Sequence, residues 1–153
     1  MNKPFEEIRM PCASMAHHPS VHFTHLHALI IEDRSEVFEM YRRQVASYPT
    51  GLHMVSADST RRALSLVARE MDKIAVVVIT ACLGGAEMPN TLRLIERLRR
   101  TMRYHVPFIA GSDNEAHNRI LCKAGCDYSP EVSTIPMLEQ VPKLILSAIG
   151  FHS

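Results

Sequence analysis

The sequence predicts an α/β protein whose parallel sheet is covered by helices on both faces. Short apolar runs alternate with segments of helical periodicity along most of the chain. The connections between them are short, as in repeated strand–helix units. The run Ile74-Ala-Val-Val-Val-Ile79 is apolar throughout and mostly β-branched, which a strand needs when both of its faces are buried.

The elements follow in order. His27-Ala-Leu-Ile-Ile31 is a short apolar strand that stops at the acidic pair Glu32-Asp33. Ser35 is a candidate cap for a helix carrying Val37, Phe38, Tyr41 and Val45, and Pro49 and Gly51 end it. Leu52 to Val55 reads as the second strand. Asp58-Ser-Thr then caps a helix with Ala63, Leu64, Val67 and Ala68 turned inward. After the third strand, a loop through Gly84, Gly85 and Pro89 leads to a helix with Leu92, Leu94, Ile95 and Leu98 inside and Arg93, Arg97, Arg99 and Arg100 outside. Val106 to Ala110 is a fourth strand, and Asn118 to Lys123 a short helix closed by Gly125. Tyr128-Ser-Pro130 is a weak fifth strand, placed at a sheet edge because proline lacks the backbone donor. A last helix runs from about Ile135 to Ile149, with Pro142 expected to bend it.

A chain of 153 residues suits one domain: residues 1–24 as a tail, 25–150 as the folded unit and 151–153 as its end. With 46% hydrophobic and 22% charged residues the composition is that of an ordinary globular protein, which argues against bulk disorder. A formal net charge of +1 gives no electrostatic reason to expect nucleic acid or an anionic membrane as partner. The six-residue run Ile74 to Ile79 is too short to span a bilayer. Glu6, Glu7 and Arg9 stand where a secretion signal would be basic and then apolar, so a cytoplasmic location is expected. Cys12, Cys82, Cys122 and Cys126 do not form paired C-x-x-C units, and free thiols are the expectation. His17, His18, His22, His25 and His27 crowd the tail and the first strand's entry; such a tract is either a metal ligand set or a polar lead-in.

In a parallel α/β sheet the functional surface lies beyond the carboxyl ends of the strands. Glu32, Asp33, Thr80, Ser112 and the segment around Glu131 occupy those positions. There the chain resembles the receiver domain of two-component response regulators, over residues 26 to about 150. In that family the first strand ends in two acidic residues, as Glu32-Asp33 does here, and the second helix opens as Ala57-Asp-Ser-Thr-Arg-Arg-Ala63-Leu64 does. Ser112, in Ile109-Ala-Gly-Ser112, matches the hydroxyl residue ending the fourth strand; Ala124-Gly125 matches the closing of the following helix, and Tyr128 the aromatic after it. The resemblance implies a flavodoxin-like (CheY-like) five-stranded sheet in the order 2-1-3-4-5.

Two positions depart from the family. Thr80, in Thr80-Ala-Cys-Leu-Gly-Gly85, stands where the phosphorylated aspartate is normally found. Glu131 stands at the lysine position if one residue is deleted after Gly125; without the deletion it is Val132. A threonine hydroxyl with no adjacent base is a poor phosphoryl acceptor, and two carboxylates alone hold Mg²⁺ weakly or not at all. Glu131 pointing inward would repel Glu32 and Asp33, or rebuild a cation site with them; pointing outward, it leaves the pocket without its cation. Ser112 is either the family's switch hydroxyl or a turn residue before Asp113.

The expectation is therefore a stand-alone, non-enzymatic, atypical receiver without a cofactor. It would signal by binding a protein partner, or a second copy of itself through the face containing Tyr128, and not by phosphorylation. One alternative is an unconventional phosphoacceptor using Thr80 or another residue. A small-molecule binder on the same scaffold would need a Gly-rich loop after the first strand, which Asp33-Arg-Ser-Glu36 is not.

Overall fold

The structure, a computed structural model, describes residues 26–83, 87–102 and 104–151. The His-rich tract before Leu26 and the Gly84-Gly85 loop fall outside them. Strands β1 (His27–Ile31), β2 (His53–Ala57), β3 (Ile74–Ile79) and β4 (Phe108–Ala110) form one parallel sheet in the order β2-β1-β3-β4. Helices α1 (Ser35–Ala46), α2 (Thr60–Glu70), α3 (Met88–Thr101), α4 (Glu115–Ala124) and α5 (Met137–Ala148) cover it.

Because side chains alternate along a strand, each strand feeds two cores. Leu29, Ile31, Val77, Ile79 and Phe108 pack with Ala63, Leu66 and Val67 of α2, Leu94, Ile95 and Leu98 of α3, and Leu121 of α4. Ala28, Ile30, Val76, Val78 and Ile109 face the other way, onto Val37, Tyr41 and Val45 of α1 and Val141, Ile145 and Leu146 of α5. β3 is buried at every position, as its β-branched run predicts.

The expected fifth strand is reduced to one parallel bridge between Ile109 and Tyr128. Ala110 N–H donates to the Tyr128 carbonyl at 2.8 Å and Tyr128 N–H to the Phe108 carbonyl at 3.2 Å. Pro130 has no N–H to extend the ladder, and residues 132–135 bend away from it. The first four strands keep the expected order.

Other boundaries shift as well. β2 begins and ends later than Leu52–Val55, β4 is only three residues long, and α4 starts at Glu115 rather than Asn118. Arg34, not Ser35, is the N-cap of α1, and it makes no side-chain cap bond. Ser59 does cap α2, accepting from Arg62 N–H. Leu66, not Ala68, joins Ala63 and Val67 in the buried stripe of α2. Helix α5 begins at Met137 and carries Pro142 inside it, buried.

Arg99 is not on the outer face of α3. Its guanidinium donates to the carbonyls of Val106 (2.7 Å) and Gly125 (2.8 Å) and to Asp127 Oδ2 (2.7 Å), and lies 3.7 Å from the Phe108 ring centre. Asp127 Oδ2 also accepts from Phe108 N–H at 2.8 Å, and its Oδ1 lies 3.2 Å from His105 Nε2. One arginine thus braces β4 against the end of α4.

Candidate functional site at the carboxyl ends of the strands

The sheet ladder continues one residue past its strands. Glu32 N–H donates to the Ala57 carbonyl (3.0 Å), Thr80 N–H to Ile31 (3.1 Å) and Gly111 N–H to Ile79 (2.9 Å). Glu32, Thr80 and the Gly111-Ser112 pair are thereby set in one row. Gly111 must be glycine for space: a Cβ there would stand 2.8 Å from Val78 Cγ1. Above the row lies a cavity of about 280 Å³ lined by Asp33, Arg34, Thr80, Cys82, Ser112 and His117 among others. Asp33, Thr80 and Ser112, three of the residues read from sequence, are therefore together at one pocket.

Glu32 is buried and faces Arg34. Arg34 Nε donates to Glu32 Oε2 (2.9 Å), Nη2 to Oε1 (3.1 Å), and the Arg34 backbone N–H to Oε2 (3.0 Å). Both carboxylate oxygens are thus taken. Arg34 Nη1 also reaches within 3.6 Å of the exposed Asp113. These hydrogen bonds to Glu32 raise the Arg34 pKa above its ordinary value. Below the pocket Tyr41 is fully buried, its hydroxyl without a hydrogen-bond partner among the described residues; burial, then the nearby Glu32 charge, push its pKa up.

Ser112 is held by Asn118, a polar residue on the inward face of α4. Ser112 N–H donates to Asn118 Oδ1 and Asn118 Nδ2 to the Ser112 carbonyl, each at 2.9 Å, while Ser112 Oγ accepts from Asn114 N–H at 3.1 Å. The Ser112 hydroxyl is therefore engaged in a local turn beside the pocket. Thr91 Oγ1 donates to the Ala81 carbonyl at 2.7 Å, tying α3 to the residue after Thr80. Tyr128 is 92% buried at the bridge.

Glu131 does not join the pocket. It is exposed; its N–H donates to Gln140 Oε1 (2.9 Å) and its carbonyl accepts from Gln140 Nε2 (2.7 Å). Of the orientations weighed from sequence, the outward one is observed. Nor does the acidic pair offer a divalent cation what it needs, because Arg34 already occupies both oxygens of Glu32. Among the described residues no three His, Cys, Asp or Glu side chains gather as a metal site. Arg34, Asp113, His117 and Asn118 were missed in the sequence. Asn118 had a signal, since it stands three residues before the buried Leu121 on one helical face.

No protein-family model matches the chain, and no curated protein matches it. Solved structures do. A CheY-like response regulator receiver domain from Methylobacillus flagellatus is 21% identical, with a TM-score of 0.59 over 80% of this chain and 98% of that one. The fold is that of a receiver domain. A receiver domain protein from Clostridium thermocellum (18% identity, TM-score 0.61) covers 81% of this chain and 94% of its own. The response regulator TrrA of Thermotoga maritima, solved with Mg²⁺ and BeF, is 12% identical, with a TM-score of 0.62 over 80% of this chain and 98% of its own. In this fold Glu32, Asp33, Thr80 and Ser112 lie at or just beyond the carboxyl ends of the strands. No helix of the described residues is long and apolar enough to cross a membrane.

Proposed function

We propose that this receiver-fold chain is a signalling module working through protein contact, without phosphoryl transfer. The observation that carries this reading is the Arg34–Glu32 pair. A receiver-type phosphorylation needs a carboxylate nucleophile, a bound cation and an ammonium group. Here Thr80 follows β3, Arg34 neutralises Glu32 from within the chain, and Glu131 is turned to solvent. The charge of Glu32 is thus balanced without metal or phosphate.

Partner contact is supported by the surface between α1 and the segment before α5. A groove of about 540 Å³ is lined there by Val37, Met40, Val132, Ile135 and Leu138 among others, with Val132 and Ile135 exposed. A second copy docking through the face that contains Tyr128 is the alternative mode. Sedimentation of the purified chain over a concentration series separates the two: a monomer throughout excludes the second.

The deciding experiment is intact-mass spectrometry after incubation with acetyl phosphate and Mg²⁺, beside an ordinary receiver as control. The expected result is a labelled control and an unlabelled chain. A stoichiometric phosphate adduct on this chain would overturn the proposal, and mapping it to Thr80 would establish an unconventional acceptor instead.

A further inference from the structure

Four large apolar side chains are exposed among the described residues, and two of them stand together at the groove between α1 and the segment before α5: Val132 (63% exposed) and Ile135 (51%). The loop that presents them is pinned. The Gln140 side chain donates to the carbonyls of Glu131 (2.7 Å) and Ile135 (2.9 Å), and its Oε1 accepts from Glu131 N–H (2.9 Å). Ser133 Oγ accepts from Ile135 N–H at 3.1 Å. The two aliphatic side chains are thus held in water on a fixed backbone, which lowers the ordering cost of binding. On the floor, Met40 and Met137 are half-buried, and their flexible thioethers adapt to an apolar surface laid against them.

The rim has one sign of charge. Glu36, Asp113 and Glu139 line the groove, and no described Lys, Arg or His does. Asp113 lies 3.6 Å from Arg34 Nη1, whereas Glu36 and Glu139 are exposed and have no ion pair among the described residues. Both stand in first turns, of α1 and α5, where the helix dipoles favour a negative charge without any cation. The isolated chain therefore tolerates them, and both are available to a partner. The complement of an apolar floor with a negative rim is a surface that is apolar and basic.

No strand residue lines the groove, so an added strand would have no ladder to join there. A helix needs only side-chain contacts. We propose, on the protein-contact reading above, that the groove takes an amphipathic helix of another protein, with apolar side chains at i, i+4 and i+7 and Lys or Arg beside them. Val132 and Ile135 hold its apolar face on one side and Val37 and Met40 of α1 on the other, while Glu36 and Glu139 receive its cationic flank.

The test pans the full 153-residue chain against a displayed library of helical peptides with randomised apolar, basic and acidic positions. The enriched peptides are then measured by fluorescence anisotropy, and the fold of each variant is checked by circular dichroism. Enriched sequences are expected to combine the apolar spacing with an excess of Lys and Arg, and to bind more weakly as salt is raised. Ile135→Asp changes an exposed side chain, so the fold should persist while affinity falls about tenfold or more. Glu36→Lys combined with Glu139→Lys should cost as much, and the pair of Glu→Gln changes less. If Ile135→Asp fails to fold, Val132→Asp takes its place.

No enrichment, enrichment of acidic peptides, or parental affinity in the folded Ile135 variant would each overturn the proposal. A photo-reactive residue in place of Val132 separates the other occupants, and no cross-link is expected in the chain alone. A cross-link to a second copy, or to the chain's own residues before Leu26, would show the groove already filled and would also overturn it. An unlabelled chain in the acetyl phosphate experiment that binds no helix loses this proposal alone; a phosphorylated chain loses the reading beneath it, whatever the peptides do.

Discussion

Two arginines on this chain each hold a buried carboxylate, and they do different work. Arg34 binds Glu32 two residues away in sequence and lies at the mouth of a cavity. Arg99 binds Asp127, 28 residues away, and none of its contacts opens onto the pocket. Arg99 also takes two main-chain carbonyls and covers the Phe108 ring, so it joins three segments of backbone. Arg34 joins a loop to itself. The same guanidinium–carboxylate chemistry is a brace in one place and a local neutraliser in the other; what distinguishes them is how far along the chain the partners lie and whether solvent reaches them.

The largest effect should come from Arg99→Ala. It removes the arginine from the mostly buried Asp127 carboxylate, leaving it only Phe108 N–H and His105, and frees two carbonyls, so we expect a loss of about 3 kcal/mol of stability, or roughly 10 °C in melting temperature. Arg99→Lys should recover less than half, because an ammonium cannot reproduce the planar fork that spans Val106, Gly125 and Asp127. Thermal denaturation of both variants checks this. Full recovery by lysine would show that charge, not geometry, matters at the brace, and would erase the contrast with Arg34.

Asn118→Ala should rank next, at about 2 kcal/mol, since it leaves the buried Ser112 N–H and carbonyl without their partner. This variant sharpens the comparison by giving the scale for a neutral pair next to the same pocket. A loss under half that size would mean that water replaces the amide.

How much of this was legible beforehand follows the same divide between local and distant contacts. The alternating pattern was enough to read the parallel sheet and its two helical layers, because strand and helix periods are properties of short stretches. The meeting of Asp33, Thr80 and Ser112 at one pocket was legible because strand ends in such a sheet are neighbours whatever the loops do. Arg99 was misplaced although Ile95 stands four residues before it on the same helical face; a charged residue on an apolar stripe was assigned outward, and only the far-off Asp127 reverses that. Tyr128-Ser-Pro130 read as a strand because the aromatic suits one, but a single bridge is all that the proline leaves. Arg34 was hidden for the opposite reason: its partner is adjacent, yet the fold-back depends on the turn between β1 and α1, which residue type does not determine.

Arg34→Ala carries the smallest stability effect and the most information about function. Arg34 is about a third exposed, so solvent screens part of its interaction and water can replace part of its bonding; we expect a cost of about 1 kcal/mol. Its removal takes from Glu32 the cation that holds both of its carboxylate oxygens, and Mg²⁺ should now raise the melting temperature of the variant more than that of the parent chain. Equal responses would mean that Arg34 does not stand in for a metal, and the two arginines would then differ only in strength. A selective response would show that the Arg34 guanidinium occupies, beside Glu32, the place that a divalent ion takes once it is removed.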